Sequence, residues 1–113
     1  MNPRNIGVVE NADAVGMYCD EPHSTTFHFY LTINNACITN VTFQTYGCAA
    51  SIAASSMITV LVKGKKLTDA FDITAREVSD ALGGMPASKM FIIQAAIEAL
   101  TRAITQYQEK KSE

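Results

Sequence analysis

The chain has 113 residues, 48% of them apolar and 18% charged, with a formal charge of −2. That suffices for one domain with a modest core, is too apolar for disorder, and lacks the positive balance that binding to nucleic acid or an anionic membrane surface requires. No apolar run is long enough to span a bilayer, and Met1-Asn2-Pro3-Arg4-Asn5 lacks the apolar core of a signal peptide, so a cytoplasmic protein is expected.

Residues 1–22 contain Gly7, Gly16 and Pro22 and show no period; they read as a mobile N-terminal arm with at most one helical turn between Asn11 and Val15. From His23 the pattern changes. Phe27, Phe29, Leu31 and Ile33 alternate with Thr26, His28, Tyr30 and Thr32, the period of a half-buried strand. Asn34-Asn35 signals a turn, and Cys37 to Tyr46 continues the alternation, so an antiparallel meander follows. After Cys48 the period becomes helical, with Lys63-Gly64-Lys65 as the stop. Asp69 and Asp72 flank Ala70-Phe71 on a short exposed helix. Thr74-x-x-Glu77 opens another helix that Gly83-Gly84 closes, and Pro86 precedes a long helix from about Ser88 to Gln108. In that helix Met90, Ile93, Ile97, Leu100, Ile104 and Tyr107 form the expected core stripe, while Phe91 points nearly opposite its centre and Ile92 to one side. Strands first and helices after them predict a single α+β domain, a small antiparallel sheet with helices on one face.

Cysteines stand at 19, 37 and 48, an odd count without a C-x-x-C pair, so reduced thiols are expected. Cys48 falls at the start of a helix, where unpaired amides and the helix dipole favour a thiolate able to accept sulfur or ligate a soft metal; a buried structural thiol is the equal alternative. Cys19, Asp20 and His23 lie in one stretch that can together reach a metal, although their spacing matches no established signature. His28 reads as a strand residue on the polar face and Cys37 as structural. No nucleophile elbow or phosphate loop is present, and an enzyme is not expected.

The stretches "NPRNIGVVENADAVG", "FQTYGCAASIAASSMIT", "VKGKKLTDA" and "GGMPASKM" resemble the IscU/NifU N-terminal family of iron–sulfur cluster assembly scaffolds, in register from end to end. The resemblance implies an α+β fold with a three-stranded antiparallel sheet. It also implies a [2Fe–2S] cluster held on three cysteines helped by an aspartate or histidine, sulfur received from a cysteine desulfurase, and hand-over through specialised chaperones. Carried over by position, the family's C-G-D motif is occupied by His23-Ser24-Thr25, its second cysteine is Cys48, and its H-C pair is Phe91-Ile92. Its chaperone-recognition motif reads Met85-Pro86-Ala87-Ser88-Lys89, with the proline and lysine in place.

A [2Fe–2S] cluster needs four outer ligands, and at the family positions one chain offers Cys48 and His23. One expectation is a scaffold-like protein that binds iron or cluster, or accepts sulfur, at Cys48 with His23, supplemented by Cys19 or Asp20 or by a second chain in a homodimer. Zinc at Cys48 and His23 is another option, and no metal at all an equal one. The alternative is a degenerate paralogue, an adaptor or regulator that meets the assembly machinery through Met85, Pro86, Lys89 and Phe91. In either case Phe91 and Ile92 are expected to fill the space where metal ligands would stand.

Overall fold

The computed structural model of the chain describes residues 12–20, 25–47, 49–84 and 89–111, apart from the side chains of residues 110 and 111. Strands β1 (Ala14–Asp20), β2 (Thr25–Asn34) and β3 (Cys37–Tyr46) form one antiparallel sheet in the order β1-β2-β3. Helices α1 (Ala49–Val62), α2 (Leu67–Phe71), α3 (Ala75–Ala81) and α4 (Met90–Lys111) follow. α1 packs on β3, α4 on β1 and β2, and α3 on both long helices. The expected α+β architecture, a three-stranded antiparallel sheet with helices on one face, is what forms.

The central hairpin follows its alternation. Phe27, Phe29 and Leu31 of β2 and Ile38, Val41 and Phe43 of β3 are fully buried beneath the helices. Ile38 and Val41 are an odd number of residues apart and still share the core face, because the register slips there: Ile33 pairs with Ile38 but Thr32 with Asn40. Thr39 is the extra residue of a bulge. The turn falls one residue later than expected, at Asn35 (φ 53°) and Ala36 (φ 63°), the two left-handed positions of a two-residue hairpin. Helix punctuation also behaves as read: Gly64 (φ 85°) follows the end of α1, and the Glu77 amide donates to Thr74 Oγ1 at 3.2 Å.

The N-terminal reading needs correction. Residues 14–20, expected within a mobile arm and in part as a helical turn, form strand β1, which pairs with β2 from Ala14↔Leu31 to Asp20↔Thr25. The rest of that arm lies outside the described residues. β1 hides from sequence reading because its pattern is inverted. Val15 and Met17 point outward, 41% and 53% exposed, while Ala14 and Gly16 face the helices. α4 lies so close that a Cβ on Gly16 would stand 2.5 Å from the Ala103 nitrogen and 2.7 Å from its Cβ.

β1 also widens the buried arc of α4. Ile93, Leu100 and Ile104 are fully buried as expected, but Met90, Ile97 and Tyr107 are only partly so. The positions that turn toward the strand are Ile92, Ala95, Ala99 and Ala103, all nearly or fully buried. A helix that serves two packing directions needs more than one three-four stripe. α4 also meets the outer edge of β1: the Val15 amide donates to Gln106 Oε1 at 3.3 Å, and Arg102 donates to the Met17 carbonyl at 3.3 Å.

Candidate functional site

One end of the sheet gathers the C-terminus of β1, the first residue of β2, the last of β3, and the starts of α1 and α4. Its floor is a three-way contact. A Cβ on Gly47 would stand 2.8 Å from Thr25 Cγ2, 2.9 Å from Thr25 Oγ1 and 3.3 Å from Ser51 Oγ. Only glycine lets the end of β3 lie this close to β2 and the first turn of α1. Thr25 is 4% exposed and Ser51 fully buried. Thr25 is the position matching the aspartate of the family pattern, and its hydroxyl lies under Gly47, not toward solvent.

His23, Cys48, Met85 and Pro86 lie outside the described residues. α1 begins at Ala49, directly after Cys48 in the sequence, as expected for a helix start. Cys19 and Asp20, expected to lie with His23 in one stretch able to reach a metal, stand on strand β1. They are neighbours on a strand, so their side chains leave opposite faces. Cys19 is exposed on the uncovered face, where the Thr26 hydroxyl donates to its Sγ at 3.7 Å. Asp20 lies on the helix side and lines a cleft with Phe91. Among the described residues no group of three or more His, Cys, Asp and Glu stands close enough to hold a metal.

Ile92 is 2% exposed and part of the core; Phe91 is half-buried against it. The positions of the family's H-C pair therefore present hydrocarbon. Burial of Ile92 is worth about 1.5–3 kcal/mol, and the half-covered Phe91 less than its full share. Lys89, just ahead of α4, is exposed. As candidate cluster ligands, Thr25, Phe91 and Ile92 do not fit: one is a buried hydroxyl and two are apolar.

Phe91 forms the apolar end of an open cleft of about 450 Å³, lined also by Tyr18, Asp20, Gln94, Glu98 and Arg102. The Arg102 guanidinium stands 4.9 Å from the Tyr18 ring centroid and donates to Glu98 Oε1 at 3.2 Å. Sequence reading missed this wall because it missed β1, which supplies Tyr18 and fixes Asp20; only the Glu98–Arg102 pair, four residues apart on a helix, was open to it. His28, on the uncovered face, stacks on Tyr30 with centroids 6.5 Å apart, and its Nδ1 is shielded without a hydrogen-bond partner. No described helix is long and apolar enough to cross a membrane.

Comparison with known proteins places this arrangement. The sequence pattern described as the NifU-like N terminal domain matches residues 1–113. The iron-sulfur cluster assembly scaffold protein IscU 1 of Archaeoglobus fulgidus is 43% identical over 109 residues, 96% of this chain and 71% of the relative. The scaffold protein IscU of Aquifex aeolicus is 37% identical over 113 residues, 98% of this chain and 72% of the relative. The nitrogen fixation protein NifU of Azotobacter chroococcum is 35% identical over 108 residues, but the match spans only 35% of that longer protein. In structure, a NifU-like N-terminal protein from Brucella abortus superposes with a TM-score of 0.75 at 21% identity, over 96% of this chain and 88% of that one, which fixes the fold.

Proposed function

The chain belongs to the NifU-like N-terminal domain family, and from that premise we propose that it is a scaffold-like protein of iron–sulfur cluster assembly, taking up sulfur, iron or a cluster at Cys48 with His23. The observation that carries this reading is the 43% identity, over 96% of the chain, to a protein named as such a scaffold. Cys48 precedes a 14-residue helix in sequence, a position that favours thiolate. As thiolate it attacks the outer sulfur of a donor persulfide, forms a new S–S bond, and releases the donor thiolate. A cysteine desulfurase as donor, chaperones as recipients and the cytoplasm as setting come with the family and are part of the proposal. The protein binds and hands over; it does not turn over a substrate.

A specific observation favours a second reading for the cluster step. Ile92 is in the core and Thr25 is buried under Gly47, so a monomer lacks ligands for a stable [2Fe–2S] cluster, and the chain acts as an adaptor or regulator of the same machinery. Anaerobic incubation with ferrous iron and sulfide, followed by visible absorption and iron counting, separates the two, with a parallel incubation with a desulfurase and cysteine read by intact mass. We expect no chelator-resistant cluster in a monomer and one added sulfur that Cys48→Ser abolishes. Stoichiometric cluster in a monomer would overturn the second reading. Neither sulfur nor iron uptake, without desulfurase binding, would overturn both.

A further inference from the structure

The face of the sheet turned away from the helices holds Met17 and Cys19 of β1 beside His28 of β2. The closeness of α4 explains why the inward residues of β1 are small. It places no demand on the outward ones, and two of these carry sulfur. Met17 is 53% exposed, and Cys19 is exposed as well. Met17 and His28 are cross-strand partners, and Cys19 follows Met17 by two residues on the same face. Directly opposed residues have Cβ atoms about 4.5–5.5 Å apart, and diagonal or next-but-one neighbours about 7–8 Å. Rotation about the side-chain torsions closes a triangle of that size on one ion.

His28 is the member of the three that points to a ligand. Its Nδ1 is shielded and takes no hydrogen bond, although Tyr30 stacks on the ring and Gln44 lies opposite it on β3. An imidazole nitrogen left unmet is a cost that a bound metal removes. Met17 is long, unbranched and half exposed, so its thioether can swing aside to admit an ion and return as a ligand. The Thr26 hydroxyl, which donates to Cys19 Sγ at 3.7 Å, stays available to orient that sulfur. The described residues hold no metal-binding group of three or more His, Cys, Asp and Glu; a thioether sulfur is what completes this set.

We propose that Met17, Cys19 and His28 form a binding site for a single Cu(I) ion, held by the Met17 thioether, the Cys19 thiolate and the His28 imidazole. The class of metal follows from the ligands and from charge. Thioether, thiolate and imidazole suit Cu(I), and they leave Mg²⁺ and Ca²⁺ without the carboxylates those ions take. The outward positions of the three strands hold no Asp, Glu, Lys or Arg. The Cys19 thiol gives its proton to water as the metal binds, and one thiolate neutralises a monovalent ion in full. Zn²⁺ or Fe²⁺ would keep a positive charge that nothing on this face offsets. Binding changes no oxidation state. The site uses neither Cys48 nor His23, so it stands or falls apart from the cluster-assembly reading.

The test is anaerobic competition of the full chain against bicinchoninate, a chromophoric Cu(I) chelator. Cys48→Ser, present throughout, removes the thiol of the assembly site and should leave one Cu(I) bound per chain. In that background Met17→Leu and His28→Gln should each weaken binding by about tenfold or more, since even the outer partners of metal ligands cost that much, with melts checked for folding. Cys19→Ser should abolish it. Cu(I) should shift the Met17 methyl resonance, an effect that a thiol elsewhere in the chain cannot produce, and X-ray absorption should show two sulfurs and one nitrogen on the metal. Loss of Cu(I) binding with Cys48→Ser alone, or an unchanged affinity in either Met17→Leu or His28→Gln, overturns the proposal. Displacement of the copper by an equal concentration of Zn²⁺ overturns it as a Cu(I) site.

Discussion

Each edge strand of the sheet has its own long helix, and the two pairs are built in opposite ways. On the β1–α4 flank the backbones touch at Gly16 and Ala103, Gln106 meets the Val15 amide and Arg102 the Met17 carbonyl on the strand's outer edge, and Asp20, Glu98 and Arg102 line a cleft around Tyr18. On the β3–α1 flank no backbone partner among the described residues meets the outer edge of the strand from Asn40 to Tyr46, and the helix carries no charge. Tracing where the backbone donors and acceptors go separates a finished surface from an unfinished one.

The largest effect is expected where the finished flank is tightest. Gly16→Val adds a branched side chain against the main chain of α4, which cannot yield as a flexible side chain would. It should cost about 3 kcal/mol, read as a melting temperature lowered by roughly 10 °C or more. A melt within about 2 °C of wild type, well below what even 1 kcal/mol produces, would mean that β1 and α4 do not meet as described.

That same closeness explains what the sequence conceals. The β2–β3 hairpin and the helix boundaries are legible because large residues alternate with polar ones and because Gly64, Thr74 and Gly83-Gly84 punctuate them. β1 is illegible because Ala14 and Gly16 face inward while Val15 and Met17 face out; a contact at backbone distance admits only small residues and erases the apolar signal. The widened arc of α4 and the separation of Cys19 from Asp20 were lost with it. Of the site, the sequence shows the hydrocarbon at Phe91 and Ile92. It does not show Gly47 pressed on Thr25 and Ser51, because a three-way contact between elements has no local pattern.

An intermediate effect is expected at the end of the sheet where the flanks meet. Phe91→His with Ile92→Cys exchanges a half-buried ring and a fully buried side chain for polar, smaller ones. The apo protein should lose about 1–2 kcal/mol, chiefly at position 92. Zinc or iron affinity should rise by about tenfold or more, and further when His23→Cys and Thr25→Asp complete the set, because each added donor is a deprotonated metal ligand. Calorimetric titration and metal-dependent melts check both arms. Unchanged stability with no gain in affinity would show that Phe91 and Ile92 do not occupy a ligand site, and would leave Phe91 as a contact for another protein.

The smallest effect belongs to Arg102→Ala. The Arg102 and Glu98 side chains are 54% and 49% exposed, so their ion pair is worth at most about 1 kcal/mol and is screened by salt. As an i,i+4 helix pair it contributes about 0.3–0.5 kcal/mol and the guanidinium over Tyr18 about 0.5 kcal/mol at such an exposed position, so the loss stays near or below about 1 kcal/mol and the melt should fall by no more than about 4–8 °C. The informative readout is local. With the Met17 carbonyl no longer met, amides of β1 should exchange faster while those of β2 keep their protection. Arg102→Lys should rescue part of the melt through its charge but little of the exchange, because an ammonium cannot reach the carbonyl, the carboxylate and the ring in one fixed fork. Equal acceleration across β1 and β2 would show that Arg102 stabilises the sheet as a whole and does not finish its edge, and the contrast with β3 would then rest on Gln106 and the Gly16 contact alone.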